Sequence, residues 1–97
     1  VEQQKIAFLI SAVEQLKGAK FIRNGSVYDG REAAAHLRMK RDKAGDRIKT
    51  ADDFIRLCAS QSYMSGMPYL IKFSNREVVE AESYLREKLK EFSAGGK

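Results

Sequence analysis

The sequence predicts a single domain of the α+β class. Three observations carry this. Segments with apolar residues at helical spacing are interspersed with short segments rich in β-branched and aromatic residues. The β segments come in pairs joined by tight turns, so antiparallel pairing is expected rather than a parallel sheet. The chain's 97 residues suit one domain. The predicted order is α, β-hairpin, α, α, β-hairpin, α. The domain is expected over residues 1–92, with a frayed tail over 93–97.

The first helix rests on Ile6, Leu9, Ile10, Val13 and Leu16, with Gln4, Ser11 and Glu14 between them. Gly18 is placed to end it with a positive φ. Phe21-Ile22-Arg23 and Ser26-Val27-Tyr28 flank Asn24-Gly25, the strongest short hairpin signal. That turn pairs Ile22 with Val27 and Phe21 with Tyr28, on opposite faces. Asp29, with Glu32 three residues on, has the spacing of a capping box for the second helix. Ala33, Ala34, Leu37, Arg41 and Ala44 form its narrow stripe, and the alanines imply close approach to another element. Gly45 ends it, and Ile48 anchors the connection.

Thr50 and Asp53 repeat the capping signal. The short third helix is expected to bury Phe54, Ile55, Leu57 and Cys58. From Ser60 to Pro68 the chain turns small and polar. A strand is predicted over Tyr69–Phe73, returning through Val78-Val79 across Ser74 to Glu77. The last helix presents Ala81, Tyr84, Leu85, Leu89 and Phe92 on one side.

Composition excludes several classes. Apolar residues make up 43% and charged residues 32%, values of a globular chain rather than a disordered one. No apolar run approaches the ~20 residues of a membrane-spanning helix. The single cysteine, Cys58, makes no internal disulfide and excludes an all-cysteine metal site. It is expected to pack as a small hydrophobe. The chain opens at Val1 with no signal peptide, which is not evidence against secretion.

Three places have residues suited to chemistry. Glu32, His36 and Lys40 share one helix face at four-residue spacing. A histidine there has the titration range of a general base or ligand. The plainer reading is a packed residue beside a tyrosine or backbone group, with Glu32 committed to the cap. No second histidine or HExxH spacing supports a metal. The second place is the loop with Ser60, Ser62 and Ser65. It lacks the GxSxG elbow, and Ser-Gly before Pro68 is turn chemistry. It remains suited to a binding surface facing His36. The third place is basic. Arg38, Lys40, Arg41, Lys43, Arg47 and Lys49 stand against Asp42 and Asp46, giving this stretch +4 of the chain's +5. Such a patch suits a polyanion or an anionic membrane surface, whereas the plainer reading is a solvated helix face. Nucleic acid is not an expected partner, for lack of interleaved aromatics and of a helix-turn-helix gap. Tyr28, Tyr63, Tyr69 and Tyr84 are adaptable contact groups.

With these residues in place, the sequence resembles the YfeK-like family, small bacterial proteins of unknown function. The likeness rests on Phe21-Ile22-Arg23-Asn24-Gly25, Glu32-Ala33-Ala34-Ala35-His36-Leu37-Arg38, Asp53-Phe54-Ile55 and Ser65-Gly66-Met67-Pro68-Tyr69, in that order. It runs from Phe21 to Leu89. Asn24, Gly25, His36, Lys40, Ser65, Gly66 and Tyr69 match its motif positions. Tyr84 departs from it, standing where tryptophan is expected. The resemblance implies a periplasmic or secreted protein with its signal peptide removed, and no assigned chemistry.

The leading expectation is a non-enzymatic module that binds a protein or small-molecule ligand through His36, Lys40, Ser62, Ser65 and Tyr69. The alternative is a small hydrolase-like enzyme, with His36 as base and a serine of the Ser60–Ser65 loop as nucleophile. A third is polyanion or anionic-membrane binding through Arg38–Lys49, chiefly Arg38, Arg41, Lys43 and Arg47. No cofactor or metal is expected.

Overall fold

The computed structural model describes residues 2–60 and 66–95, with side chains through Phe92. Among these residues, four α-helices and four strands follow in the expected order. They are α1 (Glu2–Glu14), β1 (Lys20–Arg23), β2 (Ser26–Tyr28), α2 (Gly30–Ala44), α3 (Ala51–Phe54), β3 (Leu70–Lys72), β4 (Val78–Glu80) and α4 (Ala81–Gly95). A 3-10 turn, Gly45–Arg47, follows α2, and a π-helical turn, Ile55–Ala59, continues α3. The backbone of α4 is helical through Gly95, reaching into the tail that starts at Ser93.

Helix α1 is the centre of the core. Its Ile6, Leu9, Ile10 and Val13 are all buried, and it packs on α2, α3 and α4. It ends at Glu14, short of the expected stop at Gly18. The start of α2 explains this. A Cβ on Gly30 would stand 2.6 Å from Val13 O and 3.1 Å from the carbonyls of Glu14 and Leu16. The end of α1 therefore lies against the first residue of α2, and only a glycine fits between them. Gly18 takes its positive φ of 75° in the loop that follows.

Both hairpins form. Asn24 and Gly25 adopt φ of 53° and 82°, the two left-handed residues of a type I′ turn. The register is the one expected, Phe21 opposite Tyr28 and Ile22 opposite Val27. In the second hairpin, Ile71 pairs with Val79. Its first strand, Leu70–Lys72, is one residue shorter at each end than the predicted Tyr69–Phe73. Tyr69 N–H donates to Ser60 O (3.2 Å), and Phe73 N–H donates to Glu77 O (2.8 Å) within the turn.

The hairpins join edge to edge through antiparallel β1 and β3, with Phe21 opposite Ile71. The result is one four-stranded sheet of order β2-β1-β3-β4. Tyr28, Phe21, Ile71 and Val79 form one cross-strand row that packs into the core. On the opposite face Val27 and Val78 are exposed.

Both expected capping boxes are present. Asp29 Oδ1 accepts from Glu32 N–H at 2.8 Å, and Glu32 Oε1 accepts from Asp29 N–H at 3.2 Å. Thr50 Oγ1 accepts from Asp53 N–H at 3.1 Å, and Asp53 Oδ2 accepts from Thr50 N–H at 3.2 Å. Glu2 adds a long-range tie, since Ala51 N–H donates to its Oε1 at 2.8 Å.

The third helical segment corrects one expectation. Phe54, Ile55, Cys58 and Ala59 are buried, but Leu57 is 43% exposed. The buried positions recur as adjacent pairs four residues apart, and Leu57 lies between them on the outer side. Helix α4 buries Ala81 and Leu85, sets Phe92 against Phe8 (ring centroids 5.0 Å) and ties Arg86 to Asp52 at 2.5 Å. Among the described residues, no helix is long and apolar enough to cross a membrane.

Candidate functional site

Between α2 and the inner face of the sheet lies a half-open cavity of about 60 Å³. Helix α2 contributes Ala33, His36, Leu37 and Lys40 to its wall, at the three- and four-residue spacing of one helix face. Strand β1 contributes Phe21 and Arg23, which share a face by strand alternation. Tyr28, Tyr69, Ile71, Cys58, Ala59 and Leu85 complete most of the rest. Among the described residues, no aspartate or glutamate lines it.

His36 stands edge-on to Tyr28, with ring centroids 4.8 Å apart and planes at 66°. That geometry is a favourable aromatic contact. Its Nδ1 is buried with no hydrogen-bond partner among the described residues, and so is Arg23 Nε. A buried polar atom left unpaired costs about 1–3 kcal/mol. Arg23 Nε can only donate, so it lacks an acceptor; His36 Nδ1 lacks a partner of either kind.

Lys40 reaches across the mouth from α2 to the sheet. Its ammonium donates to Tyr69 Oη and, at 3.5 Å, to Cys58 O. Tyr69 is itself held by the backbone, since its carbonyl accepts from Ala81 N–H at 2.8 Å. The Arg23 guanidinium carbon lies 6.0 Å from the centroid of the same tyrosine ring. Neither Arg23 nor Lys40 takes part in an ion pair among the described residues. Arg38, Arg56 and Arg86, by contrast, each meet a carboxylate at 3.0 Å or closer. Cys58 is buried, and that burial pushes its thiol up, against the weaker pull of Lys40 and Arg47. It is thus a wall group rather than a nucleophile.

Of the residues expected in a binding surface, the structure brings together His36, Lys40 and Tyr69. Ser62 and Ser65, with Tyr63, lie outside the described residues. Ser60 is described, and its hydroxyl donates to Ile55 O at 2.9 Å. Glu32 serves the cap and does not line the cavity. The basic residues are spread around α2 and its end. Arg38 bonds Glu14 Oε1 at 3.0 Å, holding that carboxyl below the usual range. Arg41 lies 3.8 Å from Asp42, Arg47 Nε donates to Ala44 O at 3.5 Å, and Lys43 is exposed.

Arg23 was not among the residues expected in a site. Its signal was present: once Phe21 is set inward by the Asn24-Gly25 register, Arg23 falls on the same face.

Fold and site together define a small α+β domain with a mostly apolar cavity between one helix and an antiparallel sheet. The chain belongs to a family of unknown function, DUF5329, which matches residues 1–93. It is similar to the uncharacterized protein YfeK of Salmonella typhimurium, with 40% identity over 68 residues. That match covers 70% of this chain and 57% of the relative, so it spans little more than half of that protein's length. No solved structure matches the chain.

Proposed function

We propose that this domain is a non-enzymatic module that binds a small-molecule ligand in the cavity beneath α2, in the periplasm or outside the cell. The observation that carries this reading is the half-open, mostly apolar cavity itself, with Arg23, His36, Lys40 and Tyr69 among the residues around it. Ligand sites combine an apolar surface with a few convergent polar groups. The Lys40–Tyr69 contact ties α2 to the residue that precedes β3. The location is the one implied by the likeness to the YfeK-like family.

The test is a ligand screen by thermal shift on the wild type and on Ala33→Leu, which places a larger side chain in the cavity. A true ligand raises the Tm of the wild type and not of Ala33→Leu. If every Tm rise persists unchanged in the filled variant, the cavity is not the site. For the location, the precursor expressed in bacteria is expected in the osmotic-shock fraction. Recovery with the cytosol overturns that part of the proposal.

A further inference from the structure

The lining of the cavity narrows what it can hold, an inference that rests on the ligand-binding reading above. The surface that faces the void is almost wholly apolar, with Phe21, Ala33, Leu37, Ile71 and Leu85 around it. The polar groups nearby are closed off or already bonded. Arg23 Nε and His36 Nδ1 are buried atoms. The Lys40 ammonium donates to Tyr69 Oη and Cys58 O. A water in such a place needs two or more polar partners, and a polar ligand group would lose its hydration without replacement. An apolar group gains by leaving water for the same surface.

Size and shape set the rest. The volume of about 60 Å³ is well below the ~150 Å³ of a cavity that holds benzene. A water-sized group takes ~30 Å³, so there is room for about two chain carbons. The cavity is half-open, so a chain that enters it need not end inside. We propose that it holds the end of an unbranched alkyl chain, with the rest of the molecule, polar group included, outside the mouth.

The experiment is a methyl-resolved NMR titration of the wild-type chain with 1-butanol, its isomer tert-butanol, and 1-octanol. 1-Butanol is expected to shift the methyl resonances of Leu37, Ile71 and Leu85 saturably. Val27 and Val78, exposed on the opposite face of the sheet, should stay in place. tert-Butanol has the same atoms but a branched end, and is expected to bind about 10-fold more weakly, the scale of an overpacked contact. 1-Octanol should shift the same lining methyls, its remaining chain passing out through the open side. Ala33→Leu should abolish the response to both linear alcohols. Equal affinity for the two butanol isomers overturns the unbranched chain. Shifts of Val27 and Val78 as large as those of the lining methyls overturn the site, because they report a general effect on the surface. Binding of 1-butanol without 1-octanol overturns a chain that continues outside. No response of the lining methyls to any of the three probes overturns the alkyl occupant, and the broader ligand-binding reading then stands or falls on the thermal-shift screen. The comparison of isomers needs only the wild-type chain, so it holds even if Ala33→Leu does not fold.

Discussion

Cys58 and Gly30 show how much one side chain, or its absence, decides. Cys58 lines the cavity, 2% exposed, and burial keeps its thiol protonated. The thiolate is the reactive form. A thiol reagent is therefore expected to label it slowly in the native protein and quickly in urea. Native labelling at the rate of a free thiol would show a cavity open to far larger molecules. At Gly30 the constraint is contact with backbone, since an added Cβ would meet Val13 O at 2.6 Å. Gly30→Ala is expected to cost about 1–3 kcal/mol, the usual range for overpacking, as measured by urea denaturation. A loss near zero would mean that α1 and α2 separate easily. Neither effect was fully legible in the sequence. The lone cysteine could be read as a core residue. The glycine that opens α2 gives no local sign of what presses on it, because its neighbours come from another helix.

At the scale of elements, the local signals were the most readable. The Asn24-Gly25 turn and both capping boxes follow from rules that span four residues or fewer, and the structure contains all three. Thr50→Ala is expected to cost about 1 kcal/mol, as loss of an N-cap usually does. The third helical segment was less readable, because its apolar residues are compatible with more than one inward face. Phe54, the last residue of α3, is buried, and Leu57, in the π-helical turn, lies outside. Phe54→Ala is accordingly expected to lose about 3–5 kcal/mol, the range for a buried aromatic. Leu57→Gln should stay within about 0.5 kcal/mol, as surface changes do. Similar losses from both would place Leu57 in the core. Part of the candidate site was legible at this scale as well. His36 and Lys40 share a helix face in any helix, but their meeting with Tyr69 depends on a loop and a second hairpin.

For the whole molecule, three carboxylates link distant or exposed segments, and each is held below its usual range. The leading cause for Glu2 is the Ala51 N–H, for Glu14 the Arg38 guanidinium, and for Asp53 the Lys49 N–H. Folded values below unfolded ones mean that their contribution is complete above the unfolded carboxylate range, about pH 4. It is lost as the pH falls through the lower folded values. Tm is therefore expected to drop on acidification from about pH 5 to about pH 2.5. Glu2→Gln and Glu14→Gln together should start lower and drop less. An unchanged slope would place the acid sensitivity elsewhere. The sheet order was the least legible feature at this scale. Each hairpin was predicted from its own residues, but no local pattern says which of their edges join.

That joint has a consequence in time. Each hairpin is closed by a turn of a few residues and can form within about 10 μs. The pairing of β1 with β3 brings Lys20 opposite Lys72, across a stretch that includes α2 and α3. Closing so long a loop is entropically costly and slows folding. Pulse-labelled hydrogen exchange during refolding should then show the turn-proximal amides of each hairpin protected before those between β1 and β3. The cavity, which draws its wall from both hairpins, comes into being only after that central seam has closed.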